Sequence, residues 1–568
     1  MFLRLIILGL SSLSTLLIAS PVKKNKQWDK IIFADKGTLR SQVSNSEYFL
    51  GNSNSIIDEY NVFKTTFNTN ETLNKEYACA FPARFSLYKE MNPNIANIHL
   101  EECLELNSFL DALPGNKISI GLASEHLSSP SSSFGHLMLI LHNQDELKLD
   151  DLVIHFAAKT DKRDGFLSYA FKGLTGGYPS YFIIEPFYNK LHEYVDKEQR
   201  TLYVNEITIS PKELKLLKYM LFELNRAEFP YYFLNLNCAH RVDELLSAAI
   251  DKDVRRNLIY TLPIDVFRKH QDLKNKAYML KPSSMQAIES YKLLSNKDKL
   301  KFRSVTESSS RLDASSSSEL KKTLFFYNQY KFKALGYKIQ NYADNLSKSK
   351  SFPATQNETD LSSNDISNDT TQTLTLKYFY DTRTANGVLL EYLPVYNQIS
   401  AFQRNKQFES EFKVFHVSLL YTKNNDLSLN YLDLLSLQFF PPFNAIQSDL
   451  SWQFISRLQD DKKYYMEYGL GQTFGSSVLI NYLVNIGLRS NLKRTRLFFS
   501  PELNLFTYPS ARLKLGVNLK HLVHRASTSV KLKVFTHLLI TSNKSLVFDY
   551  SSEEDNAHKF GLGVRLSF

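Results

Sequence analysis

The residue of this chain with the clearest chemical potential is Cys238, in the stretch LNLNCAHRVDELL at positions 234–246. Apolar residues recur after it at helical spacing, so the stretch predicts an amphipathic helix that begins at Cys238 and is capped by Asn237. The positive end of a helix dipole favours thiolate over thiol, and Arg241 adds positive charge one turn later. The sequence therefore predicts a nucleophilic cysteine with a lowered pKa, although a small buried cysteine fits the same position.

A thiol nucleophile needs a base, and two histidines are placed to serve it. His136 follows a serine-rich turn and opens the apolar strand HLMLIL, where its ring can point out of a sheet edge toward a helix end. His155, in VIHFAAK, lies on the next predicted strand and is suited to orient the ring of His136. About a hundred residues separate His136 from Cys238, which is no obstacle because such sites assemble in space. Each histidine also fits an ordinary role as hydrogen-bonded structure.

The other chemistry-bearing residues predict structure rather than cofactor binding. Four residues are metal ligands in principle, namely His136, His155, Cys238 and His240, but the sequence has neither a paired CxxC nor an HExxH spacing. We therefore predict no metal and no cofactor. Of the three cysteines, Cys79 and Cys103 lie close together in one predicted domain. We pair them as a structural disulfide, although the sequence alone leaves the connectivity open.

The elements that must position these residues fall into regions of distinct composition. Residues 1–20 have a positive start, an apolar run and small residues at the end, which predicts a secretory signal peptide. Residues 21–115 predict a mainly helical domain that holds the disulfide, and residues 116–250 predict an α+β domain of short strands followed by two helices. Residues 251–346 predict a helical connector. Residues 347–372 contain almost no apolar side chains and predict a disordered linker.

Residues 373–568 follow a different pattern, in which apolar and polar side chains alternate. We count about twelve runs of about ten residues, and in the last one Phe560, Leu562 and Val564 alternate with glycines and an arginine. The pattern predicts an all-β antiparallel transmembrane barrel of about 12 strands in a bacterial outer membrane, with a modest lumen that side chains can fill. The final Phe568 resembles the signal that the barrel assembly machinery reads. A soluble β-sandwich would alternate in the same way.

Five motifs, in order, resemble the Lnb N-terminal periplasmic domain family over roughly residues 25–250. They are SSFGHLMLIL, VIHFAAK, FKGLTGGYPSYF, YNKLHEYVDKEQR and FPYYFLNLNCAHRVDELL. In addition, CAFPARF resembles the cysteine motif of the companion domain that precedes this family. The family has no settled biochemical function. Glu198 and Arg200 match one of its charged motifs, and we interpret them as a structural ion pair.

The order of a histidine strand before an Asn-Cys helix is similar to that of permuted papain-like thiol enzymes. These include NlpC-type cell-wall peptidases and lecithin:retinol acyltransferase. The resemblance implies a papain-like core in which Cys238 is the nucleophile, His136 is the base and His155 is the third member. In such a site the thiol attacks an amide or ester carbonyl, and the imidazole takes and returns the proton.

Two functions are consistent with these observations. The leading expectation is an exported, outer-membrane-anchored thiol hydrolase or acyltransferase with a periplasmic catalytic domain, acting on peptidoglycan stem peptides or lipid acyl groups. The alternative is a non-catalytic outer-membrane or surface protein, in which the barrel is an anchor or pore and the periplasmic domain is a binding module. Outer-membrane lipid and the barrel assembly machinery are expected partners. Nucleic acid is not expected, because the net charge of +10 is spread without a long basic patch.

Overall fold

The structure is a computed structural model of the chain. It describes residues 26–567 except 36–37, 69–72, 96, 125–134, 145, 162, 254–259, 309–314, 338–371, 383–385, 398–408, 423–426, 460–462, 492–493, 525–526, 542 and 554–556. The predicted signal peptide, the final Phe568 and all of the predicted linker except residue 372 lie outside the described residues.

The first described region consists mainly of helices. Its elements are α1 (Lys26–Ile31), β1 (Ala34–Asp35), β2 (Arg40–Ser41), α2 (Ile56–Phe67), α3 (Leu73–Ala80), α4 (Pro82–Met91) and α5 (Leu104–Asp111). Cys79 and Cys103 form a disulfide with a Cα–Cα distance of 5.4 Å, which confirms the predicted pairing. The fully buried Arg84 pairs with Glu59 in this region and with Glu223 in the next, 2.7 Å from Nε to Oε2. This buried network ties the two regions together.

The second region is built on a seven-stranded antiparallel sheet, here called the sheet region, with the strand order β8-β6-β5-β4-β3-β7-β9. Its strands are β3 (Lys117–Ala123), β4 (His136–His142), β5 (Leu152–Ala158), β6 (Tyr178–Pro186), β7 (Leu202–Ile207), β8 (Phe229–Tyr231) and β9 (Lys274–Leu280). Its helices are α6 (Phe166–Thr175), α7 (Phe187–Lys190), a π-helical turn (Leu191–Lys197), α8 (Pro211–Leu224), α9 (Cys238–Ala249) and α10 (Pro263–Lys269). The region thus has the predicted mixture of strands and helices.

Both faces of this sheet are buried. The side chains of each strand alternate between the two faces, and each face packs against a core. Leu139 and Leu141 of β4 face the main core, which also contains α9. Met138 and Ile140 face a second core that contains Tyr194 of the π-helical turn. Strand β4 is therefore enclosed on both sides, as its continuous apolar run indicates.

The structure corrects the predicted helical connector at residues 251–346. Strand β9 (Lys274–Leu280) lies within this range and pairs with β7 at the edge of the sheet. Its sequence, KNKAYML, has no clear alternation, so the pairing depends on the free edge of β7 rather than on local pattern. The helices that follow are α11 (Ser283–Lys292), α12 (Asn296–Ser308) and α13 (Ser318–Lys333).

The last region is a closed antiparallel barrel. Its strands are β10 (Thr373–Asp381), β11 (Gly387–Leu393), β12 (Val395–Asn397), β13 (Glu409–Thr422), β14 (Leu427–Phe440), β15 (Ser451–Gln459), β16 (Tyr464–Gly475), β17 (Val478–Asn491), β18 (Arg494–Ser510), β19 (Leu513–His524), β20 (Ser527–Thr541), β21 (Lys544–Glu553) and β22 (Ala557–Ser567). Strand β10 pairs with β11 and β22, and β11 pairs with β13. The short β12 extends β11 along β13, so twelve strands close the ring, as predicted.

The barrel wall is apolar outside and largely polar inside. In β17, Ile480, Tyr482 and Ile486 are exposed on the outer face, whereas Asn481 and Asn485 are buried in the lumen. This polarity is the reverse of a water-soluble barrel and matches a wall surrounded by lipid. Among the helices of the described ranges, none is long and apolar enough to cross a bilayer.

Candidate functional site

Cys238 lies at the first turn of α9, as predicted, and its side chain is buried. Asn237 caps the helix by accepting hydrogen bonds from the backbone N–H groups of Ala239 and His240 at 3.1 and 3.2 Å, which confirms the predicted N-cap. The sulfur accepts hydrogen bonds from the backbone of Leu137 and from the hydroxyl of Tyr231. The thiol is therefore held between the helix start, β4 and β8.

The predicted lowering of the Cys238 pKa is wrong in sign. Burial raises the pKa of this thiol above its usual value of 9.0, and the hydrogen bonds to the sulfur only partly offset the loss of solvation. Arg241 adds no free positive charge, because it forms an ion pair with Glu244 at 2.6 Å and lies over the ring of Phe229. At neutral pH the site holds a thiol rather than a thiolate.

The two candidate histidines lie together. The ring centroids of His136 and His155 are 5.7 Å apart, and the ring of Tyr194 lies 5.6 Å from that of His136. His155 Nε2 is 2.8 Å from the Glu185 carboxylate. Among the described residues, the buried His136 Nε2 and His155 Nδ1 have no hydrogen-bond partner.

Burial keeps both imidazoles neutral. It lowers the pKa of His136 well below 6.5, and the neighbouring His155, Lys190 and Arg200 act in the same direction. Burial and the Lys190 ammonium lower the pKa of His155 to about 4, against the opposing effect of Glu185. A neutral imidazole with an unpaired ring nitrogen can accept a proton, which is the property that a general base requires.

The thiol lies beside the end of β4 that carries His136, and neither His136 Nε2 nor His155 Nδ1 is hydrogen-bonded to the sulfur. His136 and Met138 are two residues apart on β4, so their side chains lie on the same face of the sheet, the face that Tyr194 covers. Helix α9 packs on the opposite face. The pairing of β4 with β5 begins only at Met138 and His155. The sulfur lies next to this end of β4, because it accepts a hydrogen bond from the backbone N–H of Leu137, the residue after His136.

Three residues near the thiol are absent from the sequence prediction of the site: Tyr231, Arg200 and Tyr194. Tyr231 donates its hydroxyl to the sulfur and accepts a hydrogen bond from the backbone N–H of Cys238, and burial raises its pKa well above 10. Arg200 lies near the thiol and over the ring of Tyr194, 4.7 Å from its centroid. It also pairs with Glu198 at 2.7 Å, which confirms that predicted ion pair. The motifs FPYYF and KEQR contain two of these residues, but no spacing rule assigns them to the thiol.

The barrel lumen holds a second concentration of polar side chains. Lys514 of β19 forms an ion pair with Glu409 of β13, and both are buried. Six steps around the ring of twelve separate these strands, so the pair spans the lumen. Tyr508 donates a hydrogen bond to the same carboxylate, and the Lys514 ammonium lies 5.2 Å from the centroid of the Phe506 ring.

A second group of buried polar side chains lines the lumen of the barrel. Lys520 of β19 bonds to Glu467 of β16 at 2.6 Å and to Glu502 of β18 at 3.1 Å. Gln453 and Asn485 donate hydrogen bonds to Glu502 at 3.0 and 2.9 Å. Side chains from five consecutive strands, β15 to β19, therefore form one polar network on the inner wall of the barrel.

A surface cavity and the possible metal ligands give no second candidate among the described residues. A surface cavity of about 880 Å³ lies between α4 and α8, lined in part by Phe85, Lys215 and Tyr219, and contains no residue of the Cys238 cluster. Within the described ranges, no group of three or more His, Cys, Asp or Glu side chains is arranged to hold a metal ion.

Comparison with known proteins gives one family match and several distant barrel likenesses. Residues 105–272 match the family model described as the Lnb N-terminal periplasmic domain. This is a shorter and later span than the motifs indicated, and it covers strands β3 to β8 of the sheet region but not β9. No curated protein matches the chain.

The barrel likenesses are to solved porins and outer-membrane proteins. The KdgM porin is 10% identical with a TM-score of 0.24, and the match covers 34% of this chain and 99% of that chain. The NanC porin is 5% identical with a TM-score of 0.26, over 34% and 100% of the two chains. Omp33 of Acinetobacter baumannii is 9% identical with a TM-score of 0.23, over 35% and 99%. Because these TM-scores are low, the assignment of residues 373–567 as a closed barrel depends on the observed pairing of the strands.

These comparisons do not show a papain-like core, and they leave two coarser conclusions. Residues 373–567 form a closed β-barrel with an apolar outer face, and residues 105–272 are similar to a periplasmic-domain family.

Proposed function

We propose that the barrel is a membrane anchor with a closed lumen and that the periplasmic part is a module for binding in the cell envelope. The observation that carries this proposal is the Glu409–Lys514 ion pair, which joins opposite sides of the barrel wall. A buried ion pair with further hydrogen bonds is costly to break, since either partner alone would be an uncompensated charge. The pair therefore favours a permanently occupied lumen over a pore that fills with water.

The contacts between the two parts favour the same function. The barrel rim at which β10 begins and β22 ends, here called the Thr373 rim, also carries the turn at residues 441–450. Ile446 in this turn packs into the apolar cluster of α11, α12 and α13. The barrel thus holds the periplasmic part by packed contacts as well as by the chain. On this proposal the partners of the barrel are the outer-membrane lipids and the barrel assembly machinery that inserts it.

Single-channel recording of the full chain in planar bilayers tests the closed lumen. An anchor gives inserted protein, seen as heat-modifiable migration on gels, without steady conductance. The variant Lys514→Ala breaks the crossing pair and should introduce conductance, whereas Lys544→Ala, at an exposed position near the same rim, should not. Steady open-channel conductance of the unchanged protein would contradict the proposal and favour a pore.

A thiol enzyme is the second candidate, favoured by one specific observation. Cys238 is hydrogen-bonded to Tyr231 and to the backbone of Leu137, the residue after His136, and the rings of His136 and His155 lie together with unpaired nitrogens on neutral imidazoles. On this proposal His136 removes the thiol proton as the sulfur attacks an amide or ester carbonyl, and returns it to the leaving group. His155 positions His136 through the contact between their two rings.

An activity assay separates the two candidates. Purified protein would be incubated with peptidoglycan stem peptides and, separately, with acylated lipids, and products would be identified by mass spectrometry. Enzymatic turnover should disappear in Cys238→Ala and fall strongly in His136→Ala, while the double variant Cys79→Ser/Cys103→Ser, which loses the disulfide and keeps Cys238, should retain it. Turnover that survives in Cys238→Ala would exclude the thiol mechanism, and retained binding without turnover would support the binding module.

A further inference from the structure

Helix α6 (Phe166–Thr175) exposes two large apolar side chains on one face. Phe171 is 68% exposed and Leu174 is 54% exposed. Their spacing of three residues places them side by side on the helix surface. Single exposed apolar residues are normal on a protein surface, so their meaning depends on what lies beside this helix.

The helix is held firmly against the loop that follows β8. The backbone N–H of Phe233 donates to the carbonyl of Gly173 at 2.8 Å. The rings of Tyr169 and Phe233 are 5.0 Å apart. Gly173 permits this approach, because a Cβ atom there would lie 2.2 Å from the Phe233 ring. The position of α6 is therefore tied to that of the loop.

The same loop touches the outer wall of the barrel. Leu234, the residue after Phe233, packs in one apolar cluster with Tyr260, Leu262 and Phe412 of β13. Phe412 points outward, because the neighbouring Lys413 points inward to Glu411. Many outward residues of the wall are more than a third exposed, but Phe412 is only 9% exposed, since the sheet region covers it. The sheet region thus lies against the lipid-facing side of the barrel, near the Thr373 rim.

We propose that α6 lies in the interface of the surrounding bilayer, with Phe171 and Leu174 inserted among the lipid headgroups. The bilayer begins where the protein cover of the barrel wall ends, so an element fixed beside that wall is within reach of the membrane surface. A helix with exposed aromatic and aliphatic side chains binds there by burying apolar area at the boundary between headgroups and acyl chains. The occupant is lipid, and this inference rests on the outer-membrane barrel of the proposed function.

The closing experiment measures tryptophan quenching by brominated acyl chains. The full chain would be reconstituted in vesicles of phosphatidylethanolamine and phosphatidylglycerol, with or without bromine in the lipids. Trp452 points outward from the barrel, since its neighbours Ser451 and Gln453 are buried in the lumen, whereas Trp28 is buried in the first region. Quenching of Trp452 in the unchanged protein therefore reports insertion of the barrel.

The test variant is Phe171→Trp in a chain that also carries Trp28→Phe and Trp452→Phe, and Leu174→Trp in the same chain is a second reporter. Brominated lipid should quench the introduced tryptophan at least half as strongly as it quenches Trp452. The matched control is Tyr188→Trp, which is 51% exposed but follows the opposite end of β6, and it should not be quenched.

The outcomes are distinct. If the tryptophan at position 171 or 174 emits like a solvent-exposed indole and is not quenched by brominated lipid, the inference is overturned. A shielded tryptophan that brominated lipid does not quench also overturns it, and indicates a protein partner or a second copy of the chain. Unquenched Trp452 would instead contradict the barrel anchor itself.

Discussion

The sheet region and the barrel lumen both bury ionisable side chains, and they differ in how those side chains are paired. In the lumen, the carboxylate of Glu409 meets the ammonium of Lys514 across the barrel, and Glu502 meets Lys520. In the sheet region, His136 and His155 are buried as neutral rings, each with one nitrogen that lacks a partner among the described residues.

The difference separates a structural arrangement from one that can take part in chemistry. A charged pair with further hydrogen bonds has no capacity left for a proton or a ligand, and it holds opposite strands at a fixed distance. A neutral imidazole with an open lone pair keeps that capacity. The lumen is therefore expected to respond to mutation through stability, and the sheet region through pH and reactivity.

The largest effect is expected from Lys514→Met. The Glu409 carboxylate would remain buried without its cation, so the barrel should lose about 3–5 kcal/mol of unfolding free energy. Urea unfolding, followed by heat-modifiable migration, measures the loss. The double variant Lys514→Met/Glu409→Gln should regain most of it, and the exposed control Lys544→Met should change little. Equal losses of unfolding free energy in the single and double variants would show that the Glu409–Lys514 ion pair does not determine the stability of the barrel.

Acidification should destabilise the sheet region. His155 has a pKa of about 4 in the folded protein against 6.5 for an ordinary histidine, so the unfolded chain binds the proton first. Its contribution of about 3 kcal/mol is complete above pH 6.5 and is lost as the pH falls toward 4. Urea unfolding monitored by Trp28 should show this slope, and His155→Gln should flatten it. The exposed His192→Gln is the control, and a slope that His155→Gln leaves intact would refute the assignment.

The reactivity of Cys238 provides a smaller and more specific measure. Because burial raises its thiol pKa above 9.0, iodoacetamide at pH 7 should modify it at least about tenfold more slowly than a cysteine introduced at the exposed position in Tyr188→Cys. The rate should climb as the pH rises past 9. Rapid modification at pH 7 would mean a thiolate in the cluster, and would restore the lowered pKa that the helix dipole alone predicts.

The smallest effect is expected from Tyr231→Phe. The hydroxyl that donates to the sulfur stabilises the thiolate, so its removal should raise the pKa of Cys238 further and slow alkylation. Stability should fall by about 1 kcal/mol, the usual value of one hydrogen bond. Mass spectrometry of the alkylated protein and urea unfolding give the two readouts. Tyr232→Phe is the control, and an unchanged alkylation rate in Tyr231→Phe would show that the bond does not act on the thiol.

Several elements are predictable from the sequence because their pattern is local. The alternation from residue 373 onward predicts about twelve strands with one apolar face, whereas the pairing of the strands distinguishes a closed barrel from a β-sandwich. The helix that begins at Cys238 and the cap at Asn237 follow from apolar spacing and side-chain type. The disulfide between Cys79 and Cys103 follows from their proximity along the chain.

Other features depend on contacts that no local pattern contains. Strand β9 lacks alternation and exists as an edge partner of β7, so residues 274–280 are predicted as helix and observed as strand. Tyr231 and Arg200 come near the thiol from β8 and from the residues just before β7, two strands that are not neighbours of β4 in the sheet. The papain-like assignment of Cys238, His136 and His155 stays a prediction for the activity assay.

By itself, the sequence determined which faces of the strands are apolar, where α9 begins and which residue types are available for chemistry, because these depend on neighbours along the chain. Only the tertiary structure decided the protonation of those residues. The dipole of α9 favours a thiolate at Cys238, but the loss of solvation beneath β4 and β8 opposes it and prevails. Desolvation depends on everything that surrounds a side chain in space, so its sign is not contained in local sequence.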